Sequence, residues 1–137
     1  MDNTTLLRLA MDAMQSAYAP YSHFHVGAAL LTESGEVYTG CNIENAAYSA
    51  TVCAERTAFF SAVRDGHRNF SKIAVVGGKN GVLSDFTYPC GVCRQVMREF
   101  CRDDFILLFT DGKTVRELTL GDLLPYSFSP ESLASGD

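Results

Sequence analysis

Two short segments hold residues whose types and spacing could do chemistry: Cys53-Ala54-Glu55-Arg56 and Pro89-Cys90-Gly91-Val92-Cys93-Arg94-Gln95. Each is expected to put cysteine at the start of a helix, where partial positive charge and unpaired N–H groups favour thiolate over thiol. Cys90 and Cys93 are three residues apart, so on a helical turn they share a face. Three thiolates from two neighbouring helix starts would converge on one soft cation. Three protein ligands leave the fourth tetrahedral position of zinc open to water, which is the catalytic layout and not the structural one. A carboxylate at Glu55, two positions after Cys53, would sit beside such a water, take its proton and pass it on. Arg56 would donate to the ligand sulfurs and offset the excess negative charge of three thiolates around one Zn²⁺.

Other readings of these residues compete. A lone Cys-x-x-Cys also suits a thioredoxin-like redox pair, but that leaves Cys53-Ala54-Glu55 unexplained. A closed structural zinc site would need a fourth ligand. Cys101 is excluded as that ligand, because eight helical residues beyond Cys93 it lies roughly 12 Å away along an unbroken helix. Cys41 and Cys101 are expected to be buried bystanders, with Cys41 ending a strand near enough to approach the site. His23, His25 and His67 read as surface or loop residues, the first two just before a strand.

The elements that must position these residues follow from periodicity. Thr4–Tyr18 reads as an amphipathic helix stopped by Pro20, with Leu6, Leu7, Ala10, Met14 and Ala17 inward. Val26–Leu31 and Val37–Cys41 flank Ser34-Gly35 and read as a hairpin. Residues 42–49 read as a loop, Val52–Arg64 as a helix, Ile73–Val76 as a buried strand and Cys90–Cys101 as another helix. Phe105–Phe109 and Val115–Leu118 are strands around Asp111-Gly112, and Leu120–Leu124 is a short helix. The tail from Ala134 onward reads as frayed. Helices interleaved with strands predict an α/β fold, a three-layer α-β-α arrangement over one mixed five-stranded sheet.

The chain has 137 residues, 47% hydrophobic and 20% charged, with a formal net charge of −5. This length and composition suit a single domain over residues 1–137 and exclude a disordered chain. The absence of a long apolar run excludes a transmembrane helix. The acidic balance argues against a nucleic-acid binder, which needs a basic face. Residues 1–5 lack the basic start and apolar core of an export signal, so a reducing, cytoplasmic location is expected and the five cysteines are not read as disulfides.

Taken together, Cys53-Ala54-Glu55-Arg56 and Pro89-Cys90-Gly91-Val92-Cys93-Arg94-Gln95 resemble the zinc-dependent cytidine deaminases of the small, homotetrameric type. Three further stretches are similar to that family: Tyr21–Leu30 to its first strand, Gly40–Tyr48 to its nucleoside loop, and Leu123–Phe128 to its C-terminal segment. The resemblance implies one zinc per subunit on Cys53, Cys90 and Cys93, with Glu55 shuttling protons. It implies that Asn42 and Glu44 bind the ribose hydroxyls, that Phe24 packs against substrate, and that Ala54 and Cys90 lend backbone groups to the pyrimidine edge. Phe128 would reach a neighbouring subunit's site, and Tyr48 would lie at a subunit contact that supports it. His25 and Tyr88 depart from the family pattern away from this chemistry. A carboxylate at Glu44 would repel a phosphorylated sugar, so a free nucleoside is the expected substrate, cytidine or deoxycytidine. A deaminase of a modified cytosine nucleoside, such as a blasticidin-type antibiotic, is the near rival. A zinc-stabilised interaction module is the distant one.

Overall fold

The computed structural model describes residues 1–134. The chain runs α1 (Asn3–Met14), β1 (Phe24–Thr32), β2 (Val37–Cys41), a 3₁₀ turn (Tyr48–Ala50), α2 (Ala54–Arg64), β3 (Phe70–Lys79), α3 (Gly91–Phe100), β4 (Ile106–Thr110), β5 (Val115–Thr119), α4 (Leu120–Leu123) and α5 (Pro130–Ala134). The strands form one sheet in the order β2-β1-β3-β4-β5. β1 is antiparallel to both β2 and β3, β3 is parallel to β4, and β4 is antiparallel to β5, so the sheet is mixed as expected.

This topology fixes where the two cysteine segments go. β2 and β3 both run against β1, so they share a direction. Residues 42–53 lead from β2 into α2, and residues 80–90 lead from β3 into α3. Each helix runs back across the sheet, as a connection between strands of like direction requires. Both helix N-termini therefore stand beyond the same edge, at the carboxyl ends of the strands, where α/β sheets place their sites.

Alternation along the strands splits the core into two layers. Ala28, Leu30, Ile73, Val75, Leu107 and Phe109 pack with Ala54, Ala58 and Phe59 of α2 and Cys93 and Met97 of α3. Their sequence neighbours Ala29, Leu31, Ala74, Val76 and Leu108 face the opposite way, against Leu6, Leu7, Ala10 and Met14 of α1. The three-layer expectation holds because helices cover both faces, which also explains the unbroken apolar run Ile73–Val76. Close approach of α2 depends on Gly40: a Cβ there would lie 2.4 Å from the Ala54 carbonyl oxygen and 2.7 Å from the Ala58 nitrogen. The Thr57 hydroxyl adds a tether, donating to the Cys41 carbonyl at 3.1 Å.

Several boundaries differ from the sequence reading, some set by tertiary partners and some by local turns and caps. α1 stops at Met14 and not at Tyr18, because the Tyr18 N–H donates to the Asn42 carbonyl at 2.9 Å and its carbonyl accepts from Glu44. Ala17 therefore lies beyond the helix, half-buried. Val52 pairs with Ile43, so α2 begins at Ala54. β1 starts at Phe24 and includes His25. β3 extends to Phe70–Lys79 because β1 pairs along its length. Cys90 and Cys101 cap α3 and are not inside it. Phe105 turns back to Arg102, so β4 starts one residue later, and Leu124 caps α4. Tyr48–Ala50 forms a 3₁₀ turn within the expected loop region. Ala134 closes α5, an element the sequence reading omitted, and residues 135–137 of the expected frayed tail lie outside the described residues. Cys41 and Cys101 are half-buried and not fully buried.

Candidate active site

Cys53 and Cys90 are the N-cap residues of α2 and α3, both with extended backbone. An N-cap side chain ordinarily accepts from the first turn of its helix. Neither cysteine does so, and both sulfurs point instead toward each other. The Cys53 and Cys90 Sγ atoms are 3.7 Å apart, and Cys90 and Cys93 Sγ are 3.6 Å apart. All three sulfurs lie within 4.8 Å of one another, while Cys41 and Cys101 stand outside the group. Tetrahedral ligands at about 2.3 Å from zinc are about 3.8 Å apart. The donor set therefore fits zinc in identity and spacing, with three protein ligands.

The surroundings are polarised. Arg56 Nη2 donates to Cys53 Sγ at 3.4 Å. The Cys53 thiol is pulled down, first by a hydrogen bond from Cys93 and then by those from Arg56 and Cys90. Cys93 is pushed up, because it donates that hydrogen bond and is buried. Burial pushes the Cys41 and Cys101 thiols up, Cys101 to about 12, which keeps them protonated and inert.

Glu55 is 4% exposed, on the first turn of α2 behind Cys53. Burial pushes its carboxyl up to about 7, and the charge of Cys53 adds to the rise. Its Oε1 atom is buried without a hydrogen-bond partner. A buried polar atom left unpaired costs about 1–3 kcal/mol, so its retention beside three sulfurs points to a ligand. Ala54 is fully buried between Cys53 and Glu55, its N–H in the unpaired first turn of α2.

The loop after β2 brings its polar residues back to the start of β1. Asn42 Oδ1 accepts from the Val26 N–H at 2.8 Å, and Asn42 Nδ2 donates to the Phe24 carbonyl at 2.8 Å. Half of the Asn42 amide's capacity is thus spent on β1, leaving one donor and one acceptor position. The Glu44 carboxylate accepts from the Tyr21 and Ser22 N–H groups at 3.0 and 3.1 Å and from the Ser22 hydroxyl. Those contacts hold its carboxyl below the usual carboxylate range, the Ser22 hydroxyl contributing most. Phe24 is 39% exposed and Tyr48 77% exposed, with the Tyr48 ring edge-on to Tyr21 at 6.3 Å. A cavity of about 340 Å³ lies among Tyr21, Ser22, Glu44, Asn45, Tyr48 and Thr51.

Phe128 is 62% exposed, and its carbonyl accepts from Gln95 Nε2 at 2.9 Å. Arg94 and Arg98, also on α3, donate to the carbonyls of Leu123 and Leu124. The helix that carries Cys93 thus anchors the segment that carries Phe128. The sequence reading gave no part to Ser22, Thr57 or Gln95. They are ordinary polar residues, and only their partners distinguish them.

Residues 1–109 match the family described as the cytidine and deoxycytidylate deaminase zinc-binding region. A cytidine deaminase of Sporosarcina psychrophila is 51% identical over 135 residues, 98% of this chain and 96% of that protein. A cytidine deaminase of Halalkalibacterium halodurans is 45% identical over 134 residues, 97% of this chain and 98% of that one. The crystal structure of cytidine deaminase from Burkholderia pseudomallei superposes with a TM-score of 0.86 at 46% identity, covering 93% of this chain and all of that one. With the same fold, a thiol cluster spaced for the metal and relatives matched nearly end to end, the chain belongs to the cytidine and deoxycytidylate deaminase zinc-binding family.

Proposed function

We propose that this protein catalyses the zinc-dependent hydrolytic deamination of cytidine and 2′-deoxycytidine to uridine and 2′-deoxyuridine, releasing ammonia, as an enzyme of pyrimidine salvage. The observation that carries the reading is the convergence of three thiols from two helix starts beside a buried carboxyl with an unpaired oxygen. Cys53, Cys90 and Cys93 would hold the metal. When bound, zinc supplies a Lewis acid that makes water nucleophilic near neutral pH.

The chain's own residues do the rest. Glu55 is the general acid–base: its buried carboxyl takes up the two protons that the attacking water gives up and delivers one to N3 of the pyrimidine and the other to the departing amino nitrogen. Burial keeps this carboxyl out of bulk water, so its proton passes to substrate. Arg56 draws charge from the Cys53 sulfur, which keeps a site of three thiolates from becoming too electron-rich. Ala54 and Cys90 present backbone groups to the pyrimidine edge. Asn42 and Glu44 use their remaining hydrogen-bonding positions on the sugar hydroxyls, and Phe24 packs on the substrate.

Residues 1–137 are one catalytic domain in this reading, and four copies form a homotetramer. The strongly exposed aromatics Tyr48 and Phe128 support it, since both suit burial against a neighbour, with Phe128 stacking near the base in a neighbouring site. The net charge of −5 suits a small neutral substrate over a polynucleotide. No helix among the described residues is long and apolar enough to cross a membrane; a cytoplasmic location is part of the proposed reading. The test is ultraviolet absorbance of the zinc-loaded protein with cytidine: the spectrum shifts to that of uridine. An unchanged cytidine spectrum, with turnover of a modified cytosine nucleoside, would assign the rival substrate.

A further inference from the structure

We infer that Ser22 is a positioning residue for the sugar site: its hydroxyl aims the Glu44 carboxylate and leaves it one acceptor position for a single sugar hydroxyl. The inference rests on the proposed sugar role of Glu44. An ionised carboxylate offers about four acceptor positions. Two on Oε1 are taken by the Tyr21 and Ser22 N–H groups, and one on Oε2 by the Ser22 hydroxyl. One position on Oε2 remains, and its direction is set by the hydroxyl that shares the atom.

Ser22 also links the candidate substrate residues to one another. Its Oγ accepts from the Phe24 N–H at 3.0 Å, so its single proton is committed to Glu44. The Phe24 carbonyl in turn accepts from Asn42 Nδ2 at 2.8 Å. One hydroxyl thus couples Glu44, Phe24 and, through the backbone, Asn42. The turn is itself held in place: His23, at φ 60°, donates its N–H to Ala19 and accepts from Asn80, which fixes Ser22 from outside the site. Removing the hydroxyl leaves Glu44 charged and held at Oε1 but free to rotate its second oxygen away. Ser22 is exposed, so its truncation costs the fold little.

The experiment measures calorimetric binding of uridine, 2′-deoxyuridine and 3′-deoxyuridine to the zinc-loaded wild type, Ser22→Ala, Ser22→Thr, Glu44→Gln and the Ser22→Ala/Glu44→Gln double variant. Ser22→Ala weakens uridine binding about tenfold, the value of one hydrogen bond to a charged group. It also shrinks the penalty for the missing hydroxyl, while its melting temperature stays near that of the wild type. Ser22→Thr restores binding, and the double variant binds no more weakly than Glu44→Gln alone. With cytidine, Ser22→Ala raises KM about tenfold with kcat within about threefold. Wild-type binding by Ser22→Ala beside a weakened Glu44→Gln, or additive losses in the double variant, overturns the positioning role alone. Wild-type binding by both single variants overturns the sugar role of Glu44 as well.

Discussion

Substituting Gly40 by alanine tests whether the approach of α2 to β2 sets the active site. The added Cβ would lie 2.4 Å from the Ala54 carbonyl and 2.7 Å from the Ala58 nitrogen, both backbone atoms that cannot swing aside. Ordinary contact begins at 3.4 Å, so the start of α2 must withdraw by 3.4 − 2.4, about 1 Å. It is not free to do so: Ala54 and Ala58 are fully buried, and Thr57 is bonded to the Cys41 carbonyl. Overpacking of this kind costs about 1–3 kcal/mol. At roughly 3–4 °C per kcal/mol for a chain of this size, the melting temperature falls by about 3–12 °C. Cys53 and Glu55 flank Ala54 and move with it, and a displacement near 1 Å at the reacting groups lowers turnover by about 10²-fold. Calorimetry of the zinc-loaded protein, zinc content and cytidine turnover at 25 °C, where the variant remains folded, separate the two effects. A melting temperature within about 1 °C of wild type together with kcat within twofold would refute the reasoning.

Glu55→Gln keeps the shape of the side chain and removes its proton traffic. Zinc stays bound at one per chain and kcat falls by about 10²–10⁴-fold; retention of more than a few per cent of wild-type kcat rejects the acid–base role. Cys41→Ala retains full zinc, because the Cys41 sulfur stands outside the three-sulfur group, whereas Cys93→Ala loses it; metal lost from the Cys41 variant would point to a closed four-ligand site instead. Phe128→Ala raises KM for cytidine, since an exposed aromatic that stacks near a base contributes about 1–3 kcal/mol; an unchanged KM excludes the stacking role. Chelation of the metal lowers the melting temperature, because the ligands bind it only in the folded arrangement; a curve unmoved by chelator and by added zinc counts against a resident metal.

The chemistry was legible in the sequence where it depends on short-range spacing. Cys90 and Cys93 share a turn, and Glu55 follows Cys53 at a fixed tether, so donor type and local geometry come with the residues. Two-sided burial of the sheet was equally legible, since Ile73–Val76 is apolar without interruption, while the layer each residue joins came from the structure. Helix ends were not. Tyr18 and Val52 leave helical backbone because their peptide groups pair with Asn42 and Ile43, and no local propensity encodes those partners. α5 was missed for a related reason: Pro130–Ala134 is too short to carry a periodic signal.

The sequence by itself determined the donors, their pairing on one helical turn, the adjacent carboxyl and the two-sided sheet, because each is a matter of neighbours along the chain. Only the tertiary structure brought Cys53 within 3.7 Å of Cys90, a residue 37 positions away. That meeting requires β2 and β3 to share a direction on either side of β1, and a glycine at position 40 to admit α2. The tertiary structure also decided the state of the two carboxyls, since a pKa follows from what surrounds a group in space. Glu55 is raised because helix and sheet together exclude water from it, and Glu44 is lowered because a turn 22 residues away closes on it with the hydroxyl of Ser22.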